Sequence, residues 1–92
     1  MQFKRLVASQ DAILTGQYKI NKVRLVSTSG AGSAILYNSL AQSGGIDFCT
    51  LGVDATGDSD REDFGKDMMT TKESGGLSAT LTGSVILYIY YS

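Results

Sequence analysis

Histidine, proline and tryptophan are all absent from this 92-residue chain, and cysteine occurs once, at Cys49. Without histidine there is no Ser-His-Asp triad, no imidazole base and no zinc site built on imidazole. A lone cysteine cannot pair within the chain. That excludes an internal disulfide scaffold and fits folding in a reducing compartment. No basic start followed by an apolar run marks a signal peptide, and no apolar run approaches the ~20 residues that cross a bilayer. The expectation is a soluble chain without a membrane partner. Basic excess is missing too: 8 Lys and Arg stand against 9 Asp and Glu, for a net charge of −1. Nucleic acid is therefore not an expected partner.

What is present is glycine, at 11 positions, with frequent Ser and Thr between short apolar runs. This is the pattern of strands punctuated by turns. Strands are expected over 3–8, 17–27, 33–40 and 46–53. Tyr18 and Ile20 share one phase while Val23 and Leu25 take the other, so a β-bulge is expected near Asn21-Lys22. Ser29-Gly30-Ala31-Gly32 and Gln42-Ser43-Gly44-Gly45 have turn chemistry. Residues 58–71 show no strand pattern and are expected to form a loop, or one helical turn around 64–69.

The densest apolar block closes the chain. Leu77, Ala79 and Leu81 alternate with Ser78, Thr80 and Thr82, and Gly83-Ser84 suits a two-residue type II′ turn. A hairpin closed there places Leu77, Ala79, Leu81, Ile86, Tyr88 and Tyr90 on one face. Val85, Leu87, Ile89 and Tyr91 remain as a second apolar face, expected to cover another copy of the chain. The alternative is a monomeric sandwich that closes over both faces. The fold expected is all-β, a compact β-sandwich or jelly-roll-like barrel of about six to eight short antiparallel strands. Residues 16–92 form the single domain. Residues 1–15 are an arm, with Phe3, Lys4, Arg5 and Leu6 docking on an acidic neighbour, or else an edge strand.

Charge is unevenly spread, +4 over residues 1–46 and −5 over 47–92. Two copies could meet basic side to acidic side, unless folding interleaves the halves. Asp54, Asp58, Asp60 and Glu62 have spacing that could gather Ca²⁺, but an EF-hand loop wants Gly where Asp63 stands and Glu where Met69 stands. A solvated acidic loop is the favoured reading, with no cofactor. Cys49 lies in the apolar run "IDFCTLGV" without an activating base and reads as a small buried residue. "STSGAGSA" lacks the Lys-Ser/Thr of a phosphate loop. Nothing here assembles an enzyme.

The stretches "GQYKINKVRLVSTSGAGSAILYNS" (16–39), "AQSGGIDF" (41–48) and "SGGLSATLTGSVILYIYYS" (74–92) resemble small β-rich virion proteins of tailed bacteriophages. The resemblance implies a non-enzymatic structural role as a capsid decoration or cement protein. It implies self-association, commonly as a trimer, contact with capsid or tail proteins, and a place in the virion after assembly in the host cytoplasm. It names no active-site residues. The alternative it allows is a tail- or head-fibre module binding a receptor or carbohydrate, with Tyr18, Tyr37 and the terminal tyrosines as platforms.

Overall fold

A computed structural model describes residues 2–16, 18–38, 47–64, 69–70 and 76–92. The chain is all-β, with seven strands among the described residues: β1 (Gln2–Leu6), β2 (Gln10–Thr15), β3 (Lys19–Tyr37), β4 (Asp47–Val53), β5 (Ser59–Asp63), β6 (Met69–Thr70) and β7 (Gly76–Tyr91). All pairings are antiparallel and all strands belong to one sheet. Two of the strands are long, β3 with 19 residues and β7 with 16. They pair along nearly their whole length, from Ile20 opposite Tyr91 to Tyr37 opposite Ser78.

This long ribbon organises everything else. Beside its first half, β1 flanks β7 while β5 and β6 flank β3. Beside its second half, β2 flanks β7 and β4 flanks β3. The result is an antiparallel sheet bent across its middle, and buried residues of both halves form one hydrophobic cluster. Leu6, Leu87 and Leu25 line up across three strands of the first half. Leu81, Ala34 and Leu51 do the same in the second. Each fully buried leucine stabilises the fold by ~1.5–3 kcal/mol.

The bend has its own chemistry. Register shifts at Ser27, Ser29 and Ser33 interrupt the β3–β7 ladder, leaving backbone groups that need partners. Side chains and the loop before β5 supply them. Thr28 Oγ1 donates to Ser84 O at 2.9 Å, and Gly30 N donates to Thr56 Oγ1 at 2.8 Å. Leu81 N donates to Ser9 Oγ at 2.8 Å, while Ser27 Oγ donates to Gly30 O. Asp58 Oδ2 accepts from Ala55 N, and Ser27 N donates to Asp58 O. Gly83, at φ 86°, lies so close to β3 that a Cβ there would sit 2.5 Å from Ala31 O. Glycine is required on both counts.

Several expectations are corrected here. No hairpin closes at Gly83-Ser84, because β3 offers both halves of β7 a continuous partner and Gly83 serves a bend. Ser29-Gly30-Ala31-Gly32 is a bulged passage within β3, not a hairpin loop. The acidic stretch contains a strand, β5, which pairs with β3 from Val26 opposite Ser59 to Lys22 opposite Asp63. The bulge expected near Asn21-Lys22 is present, as a register shift between Ile20 and Lys22. Residues 42–45 and most of the expected helical turn at 64–69 lie outside the described residues.

Candidate functional site

Alternation along each strand of the first half-sheet sends one set of side chains into the core and the other outward. The outward set comes from four strands. β7 contributes Ile86, Tyr88 and Tyr90, which are half-buried, and β3 contributes Lys22, Arg24 and Val26. β1 adds Phe3 and Arg5, and β5 adds Ser59, Arg61 and Asp63. One row across the sheet reads Arg5, Tyr88, Arg24, Arg61, and the next reads Phe3, Tyr90, Lys22, Asp63.

Contacts within this face are aromatic and cationic. The Phe3 and Tyr90 rings are 6.0 Å apart, and Lys22 Nζ sits 4.9 Å above the Tyr90 ring. Phe3 is 60% exposed, and together with Val7 it is an exposed large apolar side chain. Lys22, Arg24, Ser59, Asp60, Arg61 and Tyr90 line an open depression of about 410 Å³.

The sequence-predicted residues fall differently. Val85, Leu87, Ile89 and Tyr91 are 3%, 0%, 0% and 6% exposed and fill this chain's own core. They are not an outward face: with β7 a single strand, they share the phase of Leu77 and Ala79. The outward aromatics of β7 are Tyr88 and Tyr90, which the hairpin reading places on one face with Leu77, Ala79 and Leu81. An unbroken alternation of odd positions from Leu77 to Tyr91, running through Gly83, was the signal for this. Of the proposed arm, Phe3, Lys4 and Arg5 are exposed while Leu6 is core, and all four stand in β1 against β7.

The acidic residues do not converge. Among the described residues, no group of three His, Cys, Asp or Glu is placed to hold a metal. Asp58 caps its own turn through the amides of Asp54 and Ala55. Asp60 accepts from Gly52 N at 3.1 Å and from Arg61 N at 2.9 Å, clipping β5 to β4. Cys49 is half-buried against the core. Burial, reinforced by the charges of Glu62 and Asp60, pushes its thiol up to about 11. A thiol so placed is a poor nucleophile near neutral pH.

Fold and surface together define a small all-β protein with a basic, aromatic sheet face. No protein-family model and no curated protein matches the chain.

Proposed function

We propose that the chain is a non-enzymatic structural protein of a phage virion, which self-associates and binds a capsid or tail lattice as decoration proteins do. One observation carries the self-association: the two outer edges of the first half-sheet have opposite charge. β1 bears Lys4 and Arg5, whereas β5 bears Asp60, Glu62 and Asp63 against Arg61. Among the described residues each edge pairs only inward, β1 with β7 and β5 with β3. Edges of this kind accept a further strand, and opposite charge selects which edge meets which. Basic edge to acidic edge is a head-to-tail contact, and head-to-tail contacts close into rings such as trimers when the rotation between copies closes.

The exposed face beside β1, with Phe3, Arg5 and Tyr88, then supplies the surface for an acidic subunit of the lattice. Gradient sedimentation of particles assembled with the tagged protein tests the reading. Co-sedimentation of the chain, weakened by Arg5→Glu, is the expected result. Free protein at the top of the gradient overturns the virion role.

The depression against Tyr90 favours a second reading, a fibre module that binds a carbohydrate. A glycan screen without a hit removes it.

A further inference from the structure

In the β3–β5 pair Arg24 stands directly opposite Arg61, and both are exposed. Like charges at directly opposed positions, with Cβ atoms ~5 Å apart, destabilise a strand pair. Lys22 lies on the same face two residues along β3, so three cations border the depression. Among the described residues neither guanidinium has a hydrogen-bond or ion-pair partner. Asp60 also lines the depression and Asp63 shares its face, so the cations are in excess but partly offset. Both Asp60 oxygens accept backbone amides, and Asp63 stands opposite Lys22 rather than opposite either arginine.

We infer that this depression is a binding site for an oxyanion, the phosphate or sulfate ester of a small saccharide. The anion takes the place between Arg24 and Arg61, where it turns mutual repulsion into two charge-assisted contacts. Guanidinium groups suit this role because their forked donors match tetrahedral oxyanions. Ser59 provides a hydroxyl at the rim, and Tyr90 provides a wall for the sugar ring. A volume of about 410 Å³ is enough for a monosaccharide ester. The overall net charge of −1 disfavours a long polyanion, which sets a small ester above a nucleic-acid strand.

Thermal melting and amide NMR titration of the full chain test this with inorganic phosphate, sulfate and glucose 6-phosphate, each against chloride at matched ionic strength. The expected result is a rise in Tm of about 5 °C at ~10 mM ligand, with shifts at the Arg24, Ser59 and Arg61 amides. Arg24→Gln and Arg61→Gln each lose that response, yet melt about 1–4 °C above wild type without ligand, because the repulsion is gone. Lys19→Gln, at an exposed cation outside the depression, keeps the full response. Glucose 6-phosphate binding tighter than inorganic phosphate assigns the saccharide. Equal binding leaves the oxyanion site and discards the sugar wall. An unchanged response in both arginine variants, or an equal response to chloride, overturns the site. Tighter binding of a single-stranded oligonucleotide overturns the choice of ligand.

Discussion

Replacing Gly83 with alanine should expose how β7 and β3 cross. Two costs add at this position. Gly83 has φ 86°, and an L-residue held in the left-handed region costs ~1–2 kcal/mol. The new methyl would also lie 2.5 Å from Ala31 O and 3.0 Å from Gly32 Cα. Those atoms belong to backbone held in a ladder, so the strands must separate to admit it. The expected total is ~3 kcal/mol or more, a large share of the ~5–15 kcal/mol that a domain has. Gly57 is the internal control, with φ 88° and no atom within 4 Å of a built Cβ. Gly57→Ala should cost only the ~1–2 kcal/mol of the backbone term. Urea denaturation of the two variants, fitted at a common slope, measures the difference. Equal losses would refute the close crossing, and would fit Gly83 at the open tip of a hairpin.

Leu87 is fully buried between Leu6 and Leu25, so Leu87→Ala should cost ~2–5 kcal/mol in the same assay, and Leu87→Asp should leave no cooperative transition. Ser78 is fully buried and its Oγ has no partner among the described residues, so Ser78→Ala should be neutral or stabilise by up to ~1 kcal/mol; a net destabilisation would reveal a hydrogen bond. Cys49 should resist alkylation at pH 8 in the folded protein and react readily in urea, where its thiol returns to an ordinary value. The same shift has a sign in stability: a thiol kept neutral by folding contributes fully below the unfolded value of 9.0. That contribution fades as pH rises toward about 11.

The all-β class was legible because alternation and glycine punctuation are local properties, and so was the bulge at Asn21. The long ribbon was not. Gly83-Ser84 satisfies turn chemistry and bend chemistry alike, because both need only a positive φ at glycine. The deciding information was long-range: a partner strand some fifty residues earlier, itself running through a glycine-rich stretch that also reads as a turn. β5 was hidden for a different reason. "SDRED" lies at a sheet edge and is held by backbone pairing, so no apolar alternation marks it. Misplacing the turn then inverted the last strand, moving Val85, Leu87 and Ile89 outward and Tyr88 and Tyr90 inward. A single local error of this kind reassigns a whole face, since side chains alternate with a period of two.

Light scattering coupled to size exclusion, at micromolar protein and low salt, tests head-to-tail association most directly. Wild type should elute as a complex of about 29 kDa, three copies of a 9.8 kDa chain. Lys4→Glu with Arg5→Glu should give a folded monomer, as should Glu62→Lys with Asp63→Lys, and an equimolar mixture of the two should associate again, into heterodimers or other even-numbered complexes because only unlike variants attract. Charge variants that keep the wild-type mass would leave self-association standing but contradict the paired edges. A wild-type monomer would contradict self-association itself.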